Sequence, residues 1–293
     1  MTNKGNRFSL VGPGRVGSSV GMALQEKGWN CVCVIQKNEK RKQLKKLKTT
    51  FETASVTNLL SSLPDNFNVL LISVQDDEIR NVAAYLSAHA RVDWSSKVVF
   101  HMSGITGVEV LRPLRKLGAA TGALHPIAAF AAMYRPESAH NIFFDFHGDR
   151  RALLSARRIL KTLDSTMLIL RSKKERTLLH VASTIASNST VVAVRAAEKL
   201  ISDFINPRDA KALMASLLAS TVNNLSSSDG ILSLTGPLAR GDIEVISEHL
   251  NALENEKMLL QFYKSWSRLG IQLLLNDRDD ARLKKIKQIL EKR

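Results

Sequence analysis

Gly12-Pro13-Gly14-Arg15-Val16-Gly17 follows an apolar run, Phe8-Ser9-Leu10-Val11, and opens a stretch in which Val16, Val20, Ala23 and Leu24 recur at helical spacing. A strand, a G-x-G-x-x-G turn and a helix, in that order, are a dinucleotide-binding fingerprint. The first glycine makes the tight turn, the second lets backbone approach a pyrophosphate, and the third lets helix and strand pack closely. Unpaired N–H groups at the helix start then face the negative charge. Gly12, Pro13, Gly14, Arg15, Val16 and Gly17 are therefore expected to hold nucleotide phosphates.

Outward from this turn, apolar strand-like runs at 8–11, 31–35, 69–74, 97–101, 119–124, 141–146 and 167–170 alternate with helical patterns such as 78–88 and 108–117. Such alternation implies an α/β domain, a doubly wound, mainly parallel Rossmann sheet with helices on both faces. From residue 173 the character changes to long amphipathic patterns at 173–202, 207–225, 243–252, 256–275 and 279–292. Asn206-Pro207 and Asp242 read as helix caps. The expected organisation is a Rossmann-like dinucleotide-binding domain over 1–172 and an all-α domain over 173–293.

The chain's 293 residues leave room for two cores, and 44% apolar content is ordinary for a globular protein. No stretch is expected to span a membrane, and the polar start runs directly into the first strand, which leaves no room for a signal peptide. Cys31 and Cys33, expected on opposite faces of a strand and unpaired, read as core fillers in a reducing cytoplasm. The seven histidines lack metal-ligand spacing, so no metal is expected. A net charge of +15 raises nucleic acid as a partner. Lys and Arg are nevertheless spread along the chain, and no zinc-finger, helix-turn-helix or aromatic-studded RNA motif accompanies them.

An NAD site has an acid about 20 residues past the glycines, at the end of the second strand, for the ribose 2′-hydroxyl. Here that strand ends Val34-Ile35-Gln36-Lys37-Asn38, followed by Lys40, Arg41 and Lys42 against a single Glu39. Cations suit a 2′-phosphate, so Gln36, Lys37 and Arg41 point to NADP.

Loops at the carboxyl ends of parallel strands face the ligand crevice, and three segments qualify. Ser73 and Val74 are placed beside the cofactor, with Asp76 as a helix cap. Ser103 and Gly104 offer a hydroxyl and a backbone N–H to a substrate, or else form a cap and turn. His125-Pro126 presents an imidazole at the sheet edge, where it can exchange a proton with an alcohol or carbonyl near neutral pH. In the helical region His180, Thr184 and Asn188 recur at i, i+4, i+8 with Ser183 and Ser187 alongside, a polar stripe expected to face a cleft. The loop Leu234-Thr235-Gly236-Pro237-Leu238-Ala239-Arg240-Gly241-Asp242 carries Arg240, which either holds a substrate carboxylate or pairs with Asp242.

Taken together, the glycine turn, the Ser-Gly loop, the His-Pro turn, the His180 to Asn188 helix and the Thr-Gly-Pro-x-x-Arg-Gly-Asp loop resemble a bacterial family. That family joins a Rossmann-like NADP-binding domain to a C-terminal helical domain of unknown function. It is itself similar to 6-phosphogluconate, 3-hydroxyisobutyrate and prephenate dehydrogenases, pyrroline-5-carboxylate reductase and ketopantoate reductase. The resemblance implies a hydride-transfer enzyme, dimeric through the helical domain. His125-Pro126 is similar to the His-Pro turn that carries the catalytic histidine of prephenate dehydrogenases. In the hydroxy-acid dehydrogenases a Lys-x-x-x-Asn pair carries catalysis; Asn188 matches the Asn, but Thr184 stands at the Lys position.

The leading reading is an NADP-dependent oxidoreductase acting on a small polar, anionic substrate between the domains. His125 or His180 would be its acid/base, Ser103 and Asn188 would orient the substrate, and Gly104, Thr184 and Arg240 would bind it. A non-catalytic NADP(H)-sensing protein, motivated by Thr184, and a basic nucleic-acid-associated protein are the alternatives.

Overall fold

The computed structural model describes residues 6–37, 41–227, 234–277 and 279–292. Its strands are β1 (Arg7–Val11), β2 (Asn30–Ile35), β3 (Ser55–Thr57), β4 (Val69–Ile72), β5 (Val98–His101), β6 (Ala120–Ile127), β7 (Phe143–Gly148) and β8 (Thr166–Ile169). They form one sheet in the order β3-β2-β1-β4-β5-β6-β7-β8. Every pairing is parallel except β6 with β7. The expected doubly wound architecture is thus present. Chain order reverses between β1 and β4, the switch point at which such sheets open a crevice.

Both faces of the sheet are covered, which explains the nearly continuous apolar runs of its strands. On one side Phe8, Leu10, Leu71 and Phe100 pack with Val20 and Leu24 of α1 (Arg15–Glu26), Leu47 of α2 (Arg41–Thr50) and Ile159 of α5 (Arg150–Thr162). On the other, Val11, Leu70, Ile72 and Val99 pack with Ile79 and Leu86 of α3 (Ile79–His89) and Leu114 of α4 (Arg112–Lys116). Cys31 and Cys33 are free, buried and in different clusters. Strict alternation would put residues two apart on one face. A bulge opposite Phe8 and Ser9 shifts the register and separates them.

Three local readings need correction. β3 was not anticipated, because Ser-Val-Thr is too short and polar to show a period. The helical pattern at 108–117 divides into a 3-10 turn, Val108–Leu111, and α4, which begins with Pro113 in its first turn. His125-Pro126 is no turn: β6 runs through both residues to Ile127, with Pro126 opposite Phe144. Pairing with β5 stops at Ala123 opposite His101. Beyond it β6 has a free edge, where a proline is tolerated.

The remaining helices are α6 (Lys173–Leu200), α7 (Pro207–Ser227), α8 (Pro237–Arg240), α9 (Ile243–Ala252), α10 (Lys257–Asp277) and α11 (Ala281–Lys292). Asn206 caps α7 as expected, its Oδ1 accepting from the Asp209 N–H at 3.0 Å. Asp242 stands at the start of α9 but makes no side-chain cap. Asp76 makes none either; it lies in a 3-10 turn that precedes α3. The chain divides into two compact units, Met1–Asn188 and Ser189–Arg293. The division falls inside α6, whose first half stands beside the end of β6, where the His180 ring comes near that of His125. The core of the second unit joins Leu238, Ile246, Leu250, Ile271 and Leu283 from α8 to α11.

Among the described residues one helix, α6, is long and apolar enough to cross a membrane by length and composition alone. Its Ala, Val, Leu and Ile residues give the high average, and Ser, Thr, His and Asn interrupt the apolar run. The same helix carries a polar stripe that lines a cavity with strand β6.

Candidate active site

The glycine turn leaves β1 at the switch point. Gly12 has φ +82°, and a Cβ there would lie 2.6 Å from the Ser73 carbonyl oxygen and 2.7 Å from Val74 Cγ1. At Gly17 a Cβ would lie 2.6 Å from the Gly12 carbonyl oxygen and 2.9 Å from Ser73 Cβ. The first and third glycines are therefore demanded by close approach between β1, α1 and the end of β4, and Ser73 and Val74 stand beside the turn as expected. Gly14 differs, because a Cβ there would meet nothing within 4 Å. That open space, on the residue preceding α1, is where backbone can meet a phosphate. α1 starts without an acidic residue or a side-chain cap, so its N–H groups and positive dipole end remain available to an anion. Pro13, Arg15 and Val16 lie at this mouth. Ser18 ties the turn from behind, donating to the Gly14 carbonyl at 2.6 Å while accepting from the Tyr134 N–H at 3.0 Å.

At the end of β2 the Gln36 N–H donates to the Thr57 carbonyl. Lys37, expected to be free for a phosphate, forms an exposed ion pair with Glu78 at 3.2 Å. Pairs of this kind contribute about 0–1 kcal/mol, so the lysine is easily re-aimed. Arg41 opens α2; its side chain and residues Asn38 to Lys40 lie outside the described ones.

The parallel run β1-β4-β5-β6 points the carboxyl ends of these strands to the same sheet edge as the glycine turn, and His125 stands there. With strands about 4.8 Å apart, it is roughly 14 Å from β1 along that edge. The antiparallel register sets Asp145 opposite His125. His125 Nδ1 lies 2.7 Å from Asp145 Oδ2, with the imidazole 20% and the carboxylate 2% exposed. An ionised carboxylate only accepts, so the Nδ1 proton sits in this bond and Nε2 is left as the free base. Sequence reading missed Asp145. Its signal was the apolar run 141–146 interrupted by one acid, which acquires meaning only through the register.

Gly104 packs against this ring, since a Cβ there would lie 2.7 Å from His125 Cε1. The missing side chain leaves space for the imidazole. Ser103 is buried and takes the cap-and-turn alternative: its Oγ accepts from the Thr106 N–H at 3.0 Å.

A cavity of about 400 Å³ is lined by His125, Pro126, His180, Thr184 and Asn188, with Ser183 and Ser187. The structure thus brings together three of the four expected catalytic residues and leaves Ser103 out of the lining. The His125 and His180 ring centroids are 6.1 Å apart. Thr184 donates its hydroxyl to the His180 carbonyl at 2.9 Å, so it offers the cavity an oxygen but no free proton. Arg240 belongs to the second unit, where Asp242 Oδ2 accepts from its Nη2 at 2.7 Å. No cluster of metal-ligating residues occurs among the described residues.

Behind the site, His101 ends β5 fully buried, its Nδ1 accepting from the Ser103 N–H at 3.3 Å. The Gly107 carbonyl faces this ring without hydrogen-bond geometry to Nε2. Burial, reinforced by the Arg176 cation, lowers its pKa from 6.5 to about 4. The unfolded chain therefore binds this proton more readily. Stability is full above pH 6.5 and falls as pH drops toward 4, by roughly 3 kcal/mol from this residue. Urea midpoints measured from pH 7 to 4 should fall less steeply for His101→Leu than for the natural chain. Identical slopes would remove His101 as the cause.

Residues 4–126 match the Rossmann-like domain, and residues 142–269 match the domain of unknown function DUF2520. The chain joins a Rossmann-like domain to a DUF2520 domain. No protein of curated function matches the sequence. Among solved structures, a Bacteroides fragilis protein described as a candidate NADP oxidoreductase superposes with TM-score 0.76 at 21% identity, covering 91% of this chain and 98% of its own. A pyrroline-5-carboxylate reductase from Coxiella burnetii gives 0.60 at 12% identity over 98% of both chains. Prephenate dehydrogenase from Aquifex aeolicus gives 0.53 at 15%, covering 88% and 99%. The shared fold extends through the DUF2520 region, which carries Asp145, α6 and the cavity stripe, while the glycine turn and His125 lie in the Rossmann-like part.

Proposed function

We propose that the protein is an NADP(H)-dependent oxidoreductase that transfers a hydride to or from a small polar, anionic substrate. The observation that carries this reading is the His125–Asp145 pair, on the wall of a small cavity at the sheet edge that also bears the glycine turn. The residues fit a nicotinamide dinucleotide: open space at Gly14, an uncapped helix start, and no acid at the end of β2. When bound, it supplies the hydride donor or acceptor. His125 Nε2 takes the hydroxyl proton when an alcohol is oxidised and returns it to the oxygen in reduction. Asp145 holds the ring's tautomer and orientation and stabilises its charged form. His180 and Asn188 orient polar groups of the substrate. A neighbour described as an NADP oxidoreductase and another solved with NADP bound add support, and two further neighbours are solved with NAD+.

Titration of the purified protein by nicotinamide fluorescence tests the cofactor half. NADPH is expected to bind at least tenfold tighter than NADH, reflecting the basic end of β2. Equal affinity would remove the 2′-phosphate assignment, and binding of neither would remove the enzyme reading. Tight NADPH binding with no turnover on any carbonyl or alcohol would favour the sensing role that Thr184 suggests.

We also propose a homodimer through the helical unit. α6 and α7 bury one residue each, Arg176 and Ala210. Val192, Leu217, Leu225, Met258 and Leu269 are exposed in the single chain. Helices of this length draw their stability from packing an apolar face, and exposed apolar surface on this scale marks an interface. Sedimentation at the mass of one chain would refute it. The two free, buried thiols agree with a cytoplasmic protein.

A further inference from the structure

Arg176 is the one residue of α6 that the fold buries, and it is a cation. It is 5% exposed, its Nε lacks a hydrogen-bond partner, and no ion pair holds its guanidinium among the described residues. A buried charge without a counterion is strongly unfavourable, and proteins that keep one supply its partner from elsewhere. The local acids do not serve. Asp145 is engaged by His125. Glu109, which like Arg176 acts on His101, is solvent-exposed and makes no ion pair with Arg176. Arg176 precedes His180 by one turn, and Ser183 and Ser187 follow on the same face. It therefore stands one turn before the stripe that lines the cavity, on the side of the buried His101.

We infer that Arg176 is the anchor for a substrate carboxylate, received as a fork by two guanidinium N–H groups. His125 then exchanges a proton with a hydroxyl or carbonyl oxygen close to that carboxylate, and the cavity of about 400 Å³ has room for such an acid. This assignment rests on the oxidoreductase reading for the chemistry but not for the binding. It moves the role expected of Arg240, whose charge Asp242 already meets, to a residue that no motif of the sequence singles out.

The test is calorimetry on the full chain, with and without saturating NADPH, using pyruvate, glyoxylate and the neutral ester methyl pyruvate as probes, with inorganic phosphate as a comparator. Carboxylates are expected to bind, the ester is not, and Arg176→Gln should weaken carboxylate binding at least tenfold. Arg176→Lys should retain part of it. NADPH affinity should change less than twofold. Without ligand, Arg176→Met should melt no lower than the natural chain, because it removes an unpaired charge; a purely structural arginine would show the reverse. Carboxylates binding no better than the ester, or equally to Arg176→Gln, would overturn the inference while leaving the cofactor reading intact. Tighter binding of phosphate than of the carboxylates, or loss of NADPH affinity in Arg176→Gln, would assign the arginine to a phosphate instead. Carboxylate capture through Arg176 in a chain that binds no NADPH would sustain the anchor and sink the oxidoreductase.

Discussion

Gly12→Ala should unfold the first unit by about 3 kcal/mol or more and abolish nucleotide binding. Two costs combine. Alanine at φ +82° is strained by about 1–2 kcal/mol, and its methyl would sit 2.6 Å from the Ser73 backbone oxygen, which cannot rotate away. Either β4 shifts or the turn opens, and both spoil the crevice. The melting temperature should fall by roughly 10 °C. Gly14→Ala is the control that separates fold from ligand. Its backbone lies at φ −72° with open space around the Cβ position, so the melting temperature should stay within about 1–2 °C. NADPH affinity should nevertheless drop at least tenfold, because the methyl occupies the phosphate approach. If Gly14→Ala bound NADPH normally, the pyrophosphate would have to pass elsewhere.

His125→Ala and Asp145→Asn form the second pair of large effects, read once a turned-over substrate is in hand. Loss of a positioned acid/base costs about 10²–10⁴ in kcat/KM. Asp145→Asn should fall in the same range although it touches no substrate. An amide can present N–H to Nδ1, which favours the tautomer whose proton is on Nε2 and removes the free base. NADPH binding should survive in both variants. Full activity in Asp145→Asn would reduce the pair to a structural contact and shift the proton to His180.

The parts of the site differ in how far they could be read from the chain. Gly12, Gly14 and Gly17 were legible because strand, turn and helix are local and the spacing is dictated by backbone sterics. The stripe from His180 to Asn188 was legible because helical periodicity puts those residues on one face whatever surrounds them. Asp145 was not, since its meaning comes from an antiparallel register with a strand 20 residues away in sequence. Gly104 gives space to the His125 ring, a close approach that no local pattern reveals. Lys37 read as a free cation, yet Glu78 from the loop after β4 reaches it.

By itself, then, the sequence determined the class of the fold, the nucleotide turn, the change to helices near residue 173 and the helix face that lines the cavity. These all follow from short-range periods of two and 3.6 residues and from the steric needs of glycine. Only the tertiary structure decided that His125 has a carboxylate behind it, that the first half of α6 belongs with the sheet, and that Arg176 rather than Arg240 has its charge unmet. Those outcomes depend on which distant segments meet and which of them water can reach, and burial is a property of the assembled chain that no local spacing encodes.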